Sequence, residues 1–262
     1  MQTFTTCMQC QVESGMPNFS SLSMEDVPES GVIEVTCNRG HRTATIIQQT
    51  KFEILSEMGV KAIVNGSYRD AVSSFASSLE RLHEFFLEAT CRRHGIAPDE
   101  FTVTWKHMAN QSERQLGAFL AAHLLDTGKA AKVLPPKQVE FRNAVIHKGR
   151  LATRDEAVSF GQAMFDCAIP VLMLLRSDPY AEILRKLTGE RSRKAFDAGI
   201  RTSTMGISTP LSFMNAEQPA DLEAIIDSYA VRPDMHQAIR ESHNLGAMID
   251  SLIGAMADKK VT

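Results

Sequence analysis

The sequence predicts a mainly α-helical protein with a small β element at its N-terminus and a helical extension at its C-terminus. The first 47 residues contain two short runs rich in β-branched residues, which favour strands. From residue 48 to about residue 178, apolar residues recur at spacings of three and four, the period of an amphipathic helix. After Asp178-Pro179 this period weakens. We therefore divide the chain into residues 1–47, 48–178 and 179–262.

Composition is that of an ordinary globular protein, with 44% hydrophobic and 23% charged residues. A net charge of −3 excludes a protein that coats nucleic acid through bulk positive charge, so any RNA contact must be local. Basic residues do concentrate between residues 137 and 154. No run of about 18 apolar residues and no secretory signal pattern is present. We expect a cytoplasmic protein that does not span a membrane.

The N-terminal strands are predicted as a β-hairpin. Val32–Thr36 and residues 43–47 are the two runs, and Asn38-Arg39-Gly40 between them is typical of a turn.

Five helices are predicted in the middle of the chain. They cover residues 48–65, 67–93, 113–126 and 137–147, and a fifth begins at Thr153. Pro135-Pro136 suit the start of the fourth helix, and Thr153 with Glu156 forms a capping box for the fifth. Short connections between such helices favour an antiparallel bundle. In the extension, shorter helices are predicted over residues 180–187, 220–229 and 235–256.

Four residues near the N-terminus have the types and spacing of zinc ligands. Cys7-x-x-Cys10 and Cys37-x-x-x-His41 supply three thiols and an imidazole, and the second pair flanks the predicted turn, as in a zinc ribbon. A closed four-ligand shell would make this zinc structural. The alternatives are incidental thiols beside a surface histidine, or a redox Cys-x-x-Cys, which needs a strand-to-helix setting that the sequence does not reveal around Cys7.

The strongest functional signal is Arg142-Asn143-x-x-x-His147 in the fourth helix. At about 100° per residue, Asn143 and His147 share one helix face, whereas Arg142 lies about 140° from His147. Histidine, with an unperturbed pKa of about 6.5, can accept or donate the proton that RNA cleavage moves. A guanidinium can hold the phosphate. One copy of the motif makes an incomplete pocket.

This motif resembles the Arg-x(4–6)-His motif of the HEPN family. The resemblance covers roughly residues 48 to 175, with a long helical region before the motif, including Tyr68-Arg69-Asp70-Ala71-Val72, and an apolar helix after it. It implies a helical bundle that dimerises so that two motif helices line one cleft. It also implies a metal-independent endoribonuclease, often a toxin or an anti-phage defence effector, with an antitoxin or another defence protein as a partner.

The same resemblance implies residue roles. Arg142 would bind phosphate, Asn143 would position it, and His147 would transfer protons. We add Lys148 and Arg150 as contacts to the RNA backbone because they follow the motif directly. An acidic residue on the long helix contributes in some members, but the sequence does not decide whether it is Glu80.

Two other functions stay open. The fold also hosts non-catalytic members, so the chain could be a binding module for RNA, a nucleotide or a partner protein. Alternatively, the zinc-ribbon-like element could be the interface of an adaptor. The partners expected are RNA and a second copy of the chain, and no membrane.

Overall fold

The structure is a computed structural model that describes residues 1–15, 23–197, 199–213, 215 and 221–232. It is 61% helix and 11% strand with a small N-terminal sheet, which confirms the predicted mainly helical class. The chain forms two compact units. The described part of unit 1 comes mainly from Met1–Gln48 and Gly189–Gly206, and unit 2 from Gln49–Thr188 and Ile207–Val231. Residues of the predicted C-terminal extension therefore contribute to both units.

Unit 1 contains short strands and one short helix. Its elements are β1 (Gln2–Thr5), α1 (Met8–Ser14), β2 (Ser23–Asp26), β3 (Val32–Thr36), β4 (Arg42–Ile47) and β5 (Arg201–Met205). β1 and β2 pair antiparallel as a separate two-stranded sheet. β3 and β4 form the predicted hairpin, with Val32 opposite Ile46. The hairpin prediction is confirmed.

The third strand of the larger sheet comes from far along the chain. β5 pairs parallel with β4, and Thr43 lies opposite Arg201. β4 is therefore the central strand, which explains why Thr43 and Thr45 are buried along with Ala44 and Ile46. The sequence did not predict β5, because Arg-Thr-Ser-Thr-Met is polar and becomes a strand only through this long-range pairing.

Unit 2 is built from helices. They are α2 (Lys51–Val64), α3 (Tyr68–Arg93), α4 (Pro98–Lys106), α5 (Ser112–Thr127), α6 (Pro136–His147), α7 (Arg154–Arg176), the first part of α8 (Tyr180–Asp197), and α9 (Leu222–Ala230). The five predicted middle helices are all present. α1 and α4 were not predicted, and α8 runs ten residues beyond the expected end at residue 187. The helix predicted over residues 235–256 lies outside the described residues.

α3 is the central helix of unit 2 and packs against α2, α5, α6 and α7. Its Phe75 ring lies between two glycines, Gly59 of α2 and Gly161 of α7. A Cβ built on Gly59 would lie 2.4 Å from the ring, and one on Gly161 would lie 2.6 Å from it. These glycines are thus required for the helices to approach each other this closely.

α7 supplies a large part of the core. Its predicted apolar stripe, Phe160, Met164, Ala168, Val171 and Leu175, is buried. Among the described residues it is the one helix whose length and hydropathy would suit a membrane span, and 56% of its most apolar window is buried inside the protein. Its place in the core accounts for this apolar composition. The cytoplasmic location stays a prediction.

Candidate functional sites

The four predicted metal ligands come together in unit 1. Cys7 caps the N-terminus of α1 and Cys10 lies in its first turn, while Cys37 and His41 stand at the two ends of the turn between β3 and β4. Their ligand atoms all lie within 4.8 Å of one another. Residues about thirty positions apart thus converge as the sequence predicted.

The distances suit a tetrahedral ion. With metal–sulfur bonds of about 2.3 Å and a metal–nitrogen bond of about 2.05 Å, tetrahedral geometry separates two sulfurs by about 3.8 Å, and a sulfur from a nitrogen by about 3.6 Å. Cys10 Sγ lies 3.8 Å from Cys37 Sγ and 3.4 Å from His41 Nδ1, and Cys7 Sγ lies 3.9 Å from the same nitrogen. These four residues form a candidate metal site.

Backbone geometry prepares the sulfurs as ligands. The Cys10 amide donates to Cys7 Sγ at 3.5 Å, and the Arg39 amide donates to Cys37 Sγ at 3.4 Å. Gly40 makes the turn between β3 and β4 possible, because its φ of 80° lies in the left-handed region. Burial raises the pKa of the Cys7 thiol despite its amide donor. Burial also acts on Cys37, but hydrogen bonds from backbone amides and neighbouring thiols outweigh it and leave that pKa below its usual value.

Glu13 was not predicted as part of this site. The far ring nitrogen of His41, Nε2, lies 3.5 Å from Glu13 Oε1, while Nδ1 faces the sulfurs. Gln9 Nε2 donates to the same carboxylate at 2.6 Å. A carboxylate behind a ligating histidine fixes the ring and its tautomer. The only sequence signal was that Glu13 follows Cys10 by three residues on one helix, and it required knowing that α1 exists.

The structure meets one requirement of the alternative reading of Cys7-x-x-Cys10 as a redox motif. Cys7 lies between β1 and α1, a strand-to-helix junction that the sequence did not reveal. However, Cys37 Sγ and His41 Nδ1 lie as close to Cys10 Sγ as ligands of one ion would. A two-cysteine redox motif needs neither of these, so the four-residue cluster favours metal binding.

The Arg142-Asn143-x-x-x-His147 motif lies on α6, in unit 2. Val145 is the fully buried residue of this helix, and the Phe141 ring packs against Phe160 of α7 with centroids 6.1 Å apart. These contacts set the rotation of α6. As a result His147 is exposed, whereas Asn143 and Arg142 are half-buried.

Arg142 points toward the long helix α3. Its Nη1 lies 3.9 Å from Glu80 Oε1, and its side chain is only 19% exposed. Within the described part of the chain, the buried Nε of Arg142 has no hydrogen-bond partner. A guanidinium removed from water with a free donor and a distant carboxylate is poorly satisfied, and such a group in a folded protein often marks a ligand site. Glu80 is therefore the acidic residue of α3 nearest the motif arginine.

The two predicted RNA-contacting residues differ in how available their positive charges are. Lys148 is exposed at the end of α6. The Arg150 guanidinium lies 5.1 Å from the centroid of the Phe141 ring and forms an ion pair with Glu156. An RNA contact by Arg150 would have to replace that ion pair, so Lys148 is the more available cation.

Unit 2 also contains a cleft of about 530 Å³ that the sequence did not predict. On its wall the Asp126 carboxylate, 2% exposed, pairs with Arg93 and accepts a hydrogen bond from the Tyr180 hydroxyl. Burial, followed by the contact with Asp126, raises the pKa of Tyr180 to about 12. Thr90 Oγ1 lies 3.0 Å from the same hydroxyl. This network joins α3, α5 and α8 and needs no ligand to be satisfied.

Comparisons of the chain with known protein families, with curated proteins and with solved structures found no match. The function must therefore be inferred from the two clusters of side chains, the cysteine–histidine cluster of unit 1 and the motif on α6.

Proposed function

We propose that this protein is a metal-independent endoribonuclease of HEPN type that acts through Arg142, Asn143 and His147. The observation that carries the proposal is the state of Arg142: among the described residues its half-buried guanidinium has no partner for Nε, and only Glu80, at 3.9 Å, balances its charge. A phosphate would supply the missing acceptors. His147, exposed at the end of the same helix, can reach an RNA strand.

The reaction is transesterification at phosphorus. The 2′-hydroxyl loses its proton and attacks the adjacent phosphorus, and the bond from phosphorus to the 5′-oxygen breaks. The products are a 2′,3′-cyclic phosphate and a 5′-hydroxyl end. His147 accepts the first proton or donates one to the leaving oxygen, and Arg142 stabilises the charge that develops on the phosphate. Asn143, one turn before His147, positions the strand.

The active form is a dimer in this proposal. On a single α6, Arg142 and His147 are about 140° apart around the helix axis, and the burial of Arg142 toward α3 keeps them on different sides. A second motif helix would supply the missing partner for each. Lys148, exposed beside the motif, would contact the RNA backbone.

We further propose that the cysteine–histidine cluster binds Zn²⁺ as a structural ion. Three thiolates and an imidazole are the donor set that tetrahedral zinc prefers. Four protein ligands leave no open coordination position, so the ion would have no part in RNA cleavage. Its role would be to stabilise the fold of unit 1, whose strands are only four to six residues long and whose core is small.

Cleavage assays on defined RNAs test the nuclease directly. We expect the purified protein to cut RNA in the presence of a chelator and to leave cyclic phosphate ends. His147→Ala should lower the rate by about 10² to 10⁴, the usual effect of losing a general acid or base. Arg142→Ala should lower it by at least about 10². His107→Ala and Arg69→Ala, both at exposed positions, are the matched controls and should retain full activity.

The second candidate is a non-catalytic module that binds RNA, a nucleotide or a partner protein through the same surface, and Arg142 supports it equally as an anion-binding group. Absence of cleavage of tRNA, rRNA and mRNA, with binding lost in Arg142→Ala but kept in His147→Ala, would select it. A toxin or defence role predicts growth arrest on expression and its relief by His147→Ala. An antitoxin or another defence-system protein would then be the partner.

A further inference from the structure

The cleft of unit 2 has a positive charge that no carboxylate balances. Arg93, Lys129 and Lys132 are its cationic lining residues. Asp126 forms an ion pair with Arg93, and Asp166 of α7 pairs with Lys132, whose Nζ lies 3.2 Å from Oδ2. The exposed Lys129 has no ion-pair partner among the described residues. Three cations therefore stand against two carboxylates, and one positive charge is left for a ligand.

The position of Lys129 at the cleft is fixed by its backbone. The His123 ring donates from Nδ1 to the Lys129 carbonyl, 3.0 Å away, because a carbonyl oxygen can only accept. The Lys129 amide donates to Thr127 Oγ1 at 3.1 Å. Three residues further on, the ion pair between Lys132 and Asp166 ties the same loop to α7. The loop that brings the free charge to the cleft is thus preformed.

Pro170 gives the α7 side of the cleft a hydrogen-bond acceptor. It lies inside α7 and lines the cleft. Because proline has no amide hydrogen, it cannot donate to the Asp166 carbonyl four residues earlier, as a helical residue normally would. Pro170 is also exposed, so the carbonyl directed at its ring lies at the surface of the cleft. That carbonyl can accept a hydrogen bond from an N–H group of a ligand.

The rest of the cleft surface is largely apolar. Its volume of about 530 Å³ lies within the range of small-ligand sites, about 300 to 1,000 Å³. Burial of an apolar group there would favour binding. The apolar lining comes from the loop after α5, from α7 and from the turn before α8, and consists of Ala130, Ala131, Val171, Leu174 and Pro179.

These three features together select a ligand class. A free cation, a carbonyl acceptor and an apolar wall match a carboxylate, an amide N–H and an apolar side chain, which the C-terminal residue of a peptide carries on one α-carbon. A phosphate monoester, with a charge of about −1.5 to −2, would exceed the one positive charge available. A carboxylate matches it. Capture of a C-terminal carboxylate is a known mode of peptide recognition.

We propose that this cleft binds the C-terminal residue of a partner protein when that residue is apolar. Lys129 pairs with the carboxylate, and the Asp166 carbonyl accepts the amide hydrogen of the same residue. Its side chain packs against the apolar wall. Neither Arg142 nor His147 lines the cleft, so this proposal and the nuclease proposal can each fail without the other.

Peptide binding by the full chain, followed by fluorescence polarisation, tests the carboxylate contact. The probe is a fluorescein-labelled Gly-Ser-Gly-Ser-Leu peptide with a free C-terminus. We expect it to bind at least about tenfold more tightly than its C-terminal amide, and at least about tenfold more tightly than the same peptide ending in serine. Lys129→Gln should abolish the preference for the free carboxylate. Lys137→Gln, exposed but outside the cleft, is the matched control and should retain it.

An ester analogue of the peptide tests the carbonyl contact. In this analogue an oxygen replaces the leucine N–H, so the wild type should bind it at least about fivefold more weakly. Pro170→Ala gives the Asp166 carbonyl a helical donor, and alanine favours the helix, so this variant should fold and bind peptide and ester equally. Four results would overturn the proposal. They are equal binding of acid and amide by the wild type, an undiminished acid preference in Lys129→Gln, an ester as tight as the peptide in the wild type, and no binding of peptides ending in leucine, valine or phenylalanine.

Discussion

The buried histidine of α3 should make unit 2 sensitive to mild acid. His83 is 7% exposed, and its ring stacks on Phe119 with centroids 3.9 Å apart and planes 15° apart. Burial lowers the pKa of His83 to about 3, against about 6.5 in an unfolded chain. The folded state therefore favours the neutral ring, and the stability this contributes is complete above pH 6.5 and is lost progressively as the pH falls toward 3.

The size of the effect follows from the two pKa values. At pH 5 the unfolded chain gains about 2 kcal/mol from protonating this histidine, and the folded chain gains almost nothing. We therefore expect the free energy of unfolding to fall by about 2 kcal/mol between pH 7 and pH 5 because of His83 alone. In His83→Phe this part of the pH dependence should disappear.

Fluorescence of the single tryptophan is a suitable probe. Trp105 lies in α4 of unit 2, stacked on Phe101 and 5.9 Å from the Arg81 guanidinium. Urea titrations at pH 7 and pH 5 give the free energy of unfolding for the wild type, for His83→Phe and for the exposed control His107→Gln. Equal pH dependence in the wild type and His83→Phe would refute the assignment.

Three more variants test particular contacts. Gly161→Ala should destabilise unit 2 by about 1 to 3 kcal/mol in urea titrations, because the new methyl group would lie 2.6 Å from a ring carbon of Phe75. Glu13→Gln should weaken the proposed zinc binding about 10- to 100-fold in competition with a chromogenic chelator, since the carboxylate behind the candidate ligand His41 is lost. Tyr180→Phe should lower the free energy of unfolding by about 1 to 3 kcal/mol by leaving the buried Asp126 with one donor fewer.

Each of these variants has a control in the chain. Gly189→Ala on α8 has open space around the new Cβ and should be neutral or stabilising. Asp26→Asn, at an exposed end of β2, should leave zinc affinity unchanged. Tyr68→Phe, the control for Tyr180→Phe, should leave the free energy of unfolding unchanged. Gly161→Ala as stable as the wild type, or equal zinc affinity in Glu13→Gln and Asp26→Asn, would contradict the contacts described.

Features encoded by neighbouring residues could be predicted from the sequence. The β3–β4 hairpin depends on a local turn around Gly40, and α7 begins at a capping box that Thr153 forms with Glu156. The four candidate metal ligands are recognisable because each pair has a short spacing. In these cases the sequence within about ten residues determines the local structure.

Features that depend on contacts between distant parts of the chain could not be predicted from the sequence. β5 becomes a strand only by pairing with β4, and α4 is only nine residues long, too short for a repeating apolar pattern to stand out. Some residues of the two candidate sites also depend on contacts between distant elements. Glu80 meets Arg142 only because α6 packs on α3, and Glu13 reaches His41 only because α1 packs beside the turn. Residues that support a site from another element leave no spacing signature.

The parallel pairing of β4 with β5 gives the protein a definite order of assembly during translation. The four candidate metal ligands all precede α2 in the chain, so they leave the ribosome before any helix of unit 2. The strand that covers β4 on its other side emerges from the ribosome only after all of α2 to α7. Until then β4 has an unpaired edge, open to pairing with other chains. A truncated chain that ends after α7 would keep that edge permanently and should aggregate.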